Sequence, residues 1–133
     1  MTDPLPYSAE MESFLEAVRG YAGIDSKTES ERVARSTVST LAMRITAGQV
    51  NDLRSALPSE LQAELGQRTG QAESFGKDGF LERVSGGIDT VDMDTVESQT
   101  RAVLRVVAER TPEEQIDDTI AQLPDDLARM FRP

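Results

Sequence analysis

The sequence predicts an all-α fold in which two tandem pseudo-symmetric helical repeats, each of three helices and a short fourth, form one compact bundle. Three observations carry that prediction. Apolar residues recur three or four apart along the chain, and no alternating strand pattern competes with them. One constant offset aligns the second half with the first without a gap, since Phe80 follows Phe14 and Pro124 follows Pro58 by the same 66 positions. Caps, glycines and prolines then punctuate both halves at matching places.

At that offset FLEAVRG (Phe14 to Gly20) meets FLERVSG (Phe80 to Gly86) and Ser8 meets Ser74. Charged residues follow in register: Glu16 with Glu82, Glu31 with Glu97, Arg35 with Arg101, Arg44 with Arg110 and Asp52 with Asp118. Leu57-Pro58 then meets Leu123-Pro124. The expected organisation is a single domain over 8–133, with repeat 1 at 8–66, a linker at 67–73 and repeat 2 at 74–133. Loop composition from Gly66 to Gly76 places that linker.

The first helix of repeat 1 puts Met11, Phe14, Leu15, Val18 and Ala22 on one stripe, with Ser8 as N-cap and Gly20 and Gly23 as stops. The second helix is expected to open with a capping box, Thr28 to Glu31 in one repeat and Asp94 to Glu97 in the other. Behind it run Ala34, Val38, Leu41, Ala42 and Ile45, matched by Thr100, Leu104, Val107, Ala108 and Thr111. A third helix begins near Thr46 and again near Thr111, where Pro112 suits the first helical position. Its apolar residues are Val50, Leu53 and Leu57, or Ile116, Ile120 and Leu123. Pro58 and Pro124 break the chain before a short fourth helix through Leu61 and Leu65, or Leu127, Met130 and Phe131. Those last side chains are expected to dock on the core.

Composition removes several function classes. The chain of 133 residues has no cysteine and no histidine, so Ser-His-Asp and Cys-His catalysis, thiolate metal sites and ordinary zinc enzymes lack their ligands. A net charge of -10 opposes a nucleic-acid partner, because phosphate backbones are held by clustered cations. No apolar run is long enough for a bilayer and the N-terminus lacks the pattern of a signal peptide, so the expected location is cytoplasmic. Lys27 and Lys77 are the only lysines among 14 cationic residues. Such acidity with scarce lysine suits a protein kept soluble in concentrated salt, while a GC-rich genome would give the same arginine bias.

LAMRITAGQVNDLRSALPSEL and RAVLRVVAERTPEEQIDDTIAQLPDDLARMF, each preceded by an FLE-x-V helix, resemble the prokaryotic domain of unknown function numbered 2267. The matching motifs are Phe80 to Val84, Arg101 to Leu104 and Gln122 to Pro124, and the resemblance spans nearly the whole chain. It implies a small helical fold and supplies no activity, cofactor or site residue.

Candidate sites follow from the charges that repeat. Arg35 and Arg101, with Arg44 and Arg110, form a possible clamp for an anionic ligand, since guanidinium groups grip carboxylate or phosphate in a fork. The structural alternative pairs each arginine with an acidic partner inside its own repeat. The acidic run from Asp89 to Glu97 lacks the alternation and central glycine of a calcium loop, and reads as a capping segment. Abundant carboxylates make any catalytic pair unspecific. No catalytic residue, metal site or cofactor is therefore expected. The first functional reading is a non-enzymatic interaction or regulatory module that binds an unknown protein partner or itself, with no nucleic acid and no membrane. The second is a small-ligand sensor taking an anion or amphipathic molecule between the repeats. An enzyme ranks third. Phe75 and the Asp89 to Asp94 stretch, where the halves differ, are further places to look.

Overall fold

The computed structural model describes residues 7–66, 74–88 and 92–132. The expected linker at 67–73, Asp89 of the acidic run and Pro133 lie outside the described residues. The described elements are α1 (Ala9–Ala22), α2 (Lys27–Arg44), α3 (Ala47–Arg54), α4 (Ser59–Leu65), α5 (Lys77–Gly86), α6 (Met93–Arg110), α7 (Glu113–Ala121) and α8 (Asp125–Ala128), closed by a 3-10 turn at Arg129–Phe131. Among the described residues there is no strand.

Local chemistry sets the ends of these helices. The Ser8 side chain accepts from the Met11 N–H to start α1, and Gly23 ends it in the left-handed region at φ 70°, which glycine adopts without steric cost. Thr46 caps α3 through the Gln49 N–H. The capping boxes expected at Thr28 and Asp94 sit two residues too far along. Ser26 accepts from the Glu29 N–H and Asp92 accepts from the Asp94 N–H, so Thr28 and Asp94 are already inside the first turn. Glu31 and Glu97 are thereby released from capping and pair with arginines one turn on. Pro112 stands just before α7 rather than as its first residue, a one-residue difference that leaves its preset φ useful. Pro58 and Pro124 stand in the same place before α4 and α8.

The central layer is the pair α2 and α6. Each packs on the other, on α1 and on α5; α2 also meets α4, and α6 also meets the 3-10 turn. Such surroundings bury more than one stripe: Val96, Val103, Leu104, Val106 and Val107 of α6 are all shielded, as are Val33, Ala34, Val38 and Leu41 of α2. A single heptad-like stripe, as the spacing predicts, underestimates this, because helices covered on several sides become apolar on several sides. Packing through the second helices is accompanied by α1 lying on α6, α5 lying on α2, and α3 lying on α7. Leu127, Met130 and Phe131 are docked and buried. No described helix is long and apolar enough to cross a membrane.

Polar groups reach into this centre. Thr37 and Thr100 are fully buried, and neither hydroxyl has a hydrogen-bond partner among the described residues. An unsatisfied buried hydroxyl costs about 1–3 kcal/mol against an apolar group of the same shape. Thr37→Val is therefore expected to stabilise the fold by about 1 kcal/mol, read as a higher urea midpoint at unchanged slope.

Candidate functional site

The four repeated arginines do structural jobs of two kinds. Arg35 Nε donates to Glu31 at 2.7 Å, and its Nη1 donates to the Glu64 carboxylate at 3.1 Å and the Glu60 carbonyl at 3.0 Å, which fastens α4 to α2. Arg101 repeats the pattern on α6, donating to Glu97 at 3.1 Å and reaching the Arg129 carbonyl of the 3-10 turn at 3.5 Å. Arg44 and Arg110 instead reach across the molecule. Arg44 Nε donates to the Phe75 carbonyl at 2.7 Å, just before α5, and Arg110 donates to the Ser13 hydroxyl at 3.0 Å on α1. Their guanidinium groups also lie over the Phe75 and Phe14 rings, at 5.9 and 5.8 Å from the centroids.

Arg35 and Arg101 do not meet in one hollow. Arg35 lines a groove of about 390 Å³, Arg101 a separate one of about 190 Å³, and Arg110 the edge of a third with Glu10, Leu57 and Pro58. Phe75 is clamped rather than free: its ring packs 6.2 Å from that of Phe80, with the Arg83 guanidinium stacked 4.0 Å above it.

The largest of these hollows is the candidate site. Its wall on α2 holds Arg32 and Arg35 one turn apart, followed by Ser36, Ser39, Thr40 and Met43. Glu64 of α4 closes one side, and Arg83 with Gly87 at the end of α5 forms the other. Three guanidinium groups thus face a single carboxylate in a chain of charge -10. Close approach of α5 to α2 shapes the groove. The Ser36 hydroxyl donates to the Val84 carbonyl at 2.9 Å, and a Cβ on Gly87 would lie 2.6 Å from that hydroxyl oxygen, so glycine is what lets the helix end come this near. Ser36 and Thr40 donate to backbone carbonyls, Arg35 donates to Glu31, Glu60 and Glu64, and Arg83 donates to the Gly79 carbonyl, while Ser39 and Arg32 complete the polar lining.

Residues 11–130 match the family model described as Uncharacterized conserved protein (DUF2267). The chain belongs to this family. No curated protein matches it. In this DUF2267 member the groove uses residues that a search for repeated charges passes over. Arg32 and Arg83 stand opposite Ser98 and Ala17 at the 66-residue offset, so neither repeats. The available signal was a charge present in one half and absent from the other. That Arg83 faces α2 follows only from the packing of α5 on α2.

Among the described residues no three Asp or Glu side chains gather as a metal would require. The carboxylates of Glu31 and Glu97 are committed to partners instead. Burial raises the Glu31 pKa, but hydrogen bonds from the Tyr7 hydroxyl and Arg35 outweigh it, and the net value falls below the ordinary 4.5. Tyr7 is pushed up to about 12 by that same bond to Glu31. Glu97 behaves likewise: burial raises it, Lys77 and Arg101 lower it further, and it ends below 4.5. Native values below unfolded ones mean that these pairs stabilise the fold fully above the ordinary carboxyl range and lose that contribution as pH falls through the lowered values. Glu31→Gln and Glu97→Gln are each expected to flatten the loss of urea stability between neutral pH and about pH 3. They should also cost about 1 kcal/mol at pH 7; an unchanged acid limb in both variants would show that the pairs contribute nothing.

Proposed function

We propose that this chain is a duplicated, non-enzymatic helical module that senses an anionic small molecule in the groove between α2 and α5. The observation that carries the reading is local charge inversion: Arg32, Arg35 and Arg83 against Glu64 alone, in a hollow of about 390 Å³ on a strongly acidic protein. Arg35 is held by Glu31 and Glu64 and contributes a fixed floor. Arg32 and Arg83, both exposed, add guanidinium groups from opposite walls, the latter held by its stacking on Phe75 and its bond to the Gly79 carbonyl. Screening limits repulsion from the rest of the surface, because the Debye length is about 8 Å at physiological ionic strength. The groove joins the first half to the second, so its occupant would brace α5 against α2 and shift any equilibrium in which they part.

The duplication is part of the same proposal. It is supported by helix limits: α2 and α6 begin and end 66 positions apart, and α3 with α7 and α4 with α8 begin 66 apart. It is also supported by the caps Ser26 and Asp92 at that offset. A docking module for a protein partner or a second copy has less to rest on. The large hydrophobics exposed among the described residues are Tyr21 and Met93, at 43% and 42%, and the Tyr21 hydroxyl is already bonded to Glu109. A stable interface buries about 800 Å² on each partner, more than two such residues offer.

Isothermal titration of pyrophosphate and citrate, with a neutral sugar as control, tests the sensing reading. Binding that weakens as salt rises is expected, and Arg32→Ala with Arg83→Ala should weaken it about tenfold or more per residue, in line with charge-assisted bonds. Arg83→Ala also removes the stacking on Phe75 and is expected to lower the unfolding temperature without ligand, so its loss of binding is read on samples shown to be folded, whereas Arg32→Ala should move that temperature little. Anion binding unaffected by both substitutions would overturn the assignment.

A further inference from the structure

The smaller arginine-lined hollow occupies the same place in the second half as the groove does in the first. At the 66-residue offset its Tyr21 of α1 corresponds to Gly87 of the groove, and its Ser98, Arg101, Ala102 and Arg105 of α6 correspond to Arg32, Arg35, Ser36 and Ser39. Five of the hollow's six lining residues are accounted for in this way. The sixth is Arg132, which follows the 3-10 turn, is exposed, and has no side-chain partner among the described residues.

We infer that this hollow, between α6 and α1, is a second anion site that takes a compact, multiply charged oxyanion. Three guanidinium groups, those of Arg101, Arg105 and Arg132, line it, and no carboxylate does. Its volume is about 190 Å³ against about 390 Å³ in the groove. The size difference has a visible cause: Tyr21 fills the position that Gly87 leaves open. Arg105 stacks on that ring at 3.9 Å from the centroid and lies 3.6 Å from the Glu109 carboxylate, which also accepts from the Tyr21 hydroxyl at 2.6 Å. Arg105 is thus positioned before any ligand arrives, which lowers the ordering cost of binding. Arg101 is likewise fixed by Glu97, and Arg132 is the exposed closing donor on a long side chain. A molecule with a large neutral body has no room here, whereas a phosphate or a small carboxylate has. The inference rests on the anion reading of the groove and extends it to two unequal sites per chain.

Backbone amide NMR of the whole chain, titrated with inorganic phosphate and separately with citrate, locates binding by residue. Two groups of amides are expected to shift with separate saturation, one around Ser36, Ser39 and Gly87, the other around Ser98, Ala102 and Arg105. The larger response to phosphate or to citrate identifies which oxyanion chemistry the second site prefers. Arg132→Ala, a substitution outside the core, should weaken the second response about tenfold and leave the first unchanged. Arg105→Ala should do the same, and its unfolding temperature serves to confirm that α1 stays on α6. Shifts confined to the groove would overturn the second site and leave the first reading standing. Shifts confined to the α6–α1 hollow would support the second site and overturn the groove. Silence at both, or a second response indifferent to Arg132→Ala and Arg105→Ala, would overturn this inference.

Discussion

The two central helices cannot be covered by their own halves alone. Both α2 and α6 are apolar on several faces, and each needs α1 and α5 as well as the other to keep those faces from water. That requirement makes the first helix of each half cross to the opposite side. Arg44 and Arg110, the last residues of α2 and α6, then hold the crossing chain by its backbone carbonyls near Phe75 and Ser13. An arginine is suited to that position, because its guanidinium lies over the aromatic ring, donates to the carbonyl and complements the C-terminal end of the helix dipole. Neither half could fold to this arrangement by itself without exposing one wall of its central helix. The hollows lined by arginine are products of the same crossing, since each lies where a first helix meets the central helix of the other half.

Charge in this molecule is arranged in two layers. Glu31 with Arg35 and Glu97 with Arg101 are one-turn pairs on the central helices, and each arginine continues to the backbone of the segment that follows the Leu-Pro bend. Exposed ion pairs of this kind contribute little singly. Here each arginine has several acceptors, so its side-chain entropy is lost once and shared among them. Arg32 and Arg83 near the groove and Arg132 near the hollow are exposed, whereas Arg35 and Arg101 are half-buried. Structural arginines therefore form the floors of the concavities and the exposed ones form their rims.

Much of the fold was legible because caps, bends and apolar spacing report local chemistry directly. Ser8, Gly23, Thr46 and the two Leu-Pro bends act where their local chemistry says they should, and the apolar positions of α3, α4 and the chain end are largely buried as spacing predicts. The second-helix caps were misplaced because a Ser/Thr/Asp followed by glutamate also describes an ordinary first turn. Only the backbone decides between Ser26 and Thr28, or Asp92 and Asp94. For the site, repetition was a misleading guide. Arg35 and Arg101 repeat because both pin a short following segment, whereas Arg32 and Arg83 lie opposite Ser98 and Ala17. No local pattern brings residue 83 to residue 32; the packing of α5 on α2 does.

Comparison of the two concavities shows how one helix face has been used twice. On α2 the three groove positions one turn apart read Arg32, Arg35 and Ser39; on α6 they read Ser98, Arg101 and Arg105. The middle arginine is held in both, because losing it would release α4 or the 3-10 turn. Its neighbour has moved from one side to the other, so each wall retains two guanidinium groups and one hydroxyl while their order is reversed. The facing position changes with it. Gly87 allows α5 to press against Ser36 and leaves the groove open beside Arg32, whereas Tyr21 lies against Arg105 and narrows the hollow. A bulky ring at position 87 would collide with Ser36, and a glycine at position 21 would leave Arg105 without the surface it stacks on. The residue opposite and the placement of the second arginine thus differ together between the two sides, and with them the size of the two arginine-lined cavities.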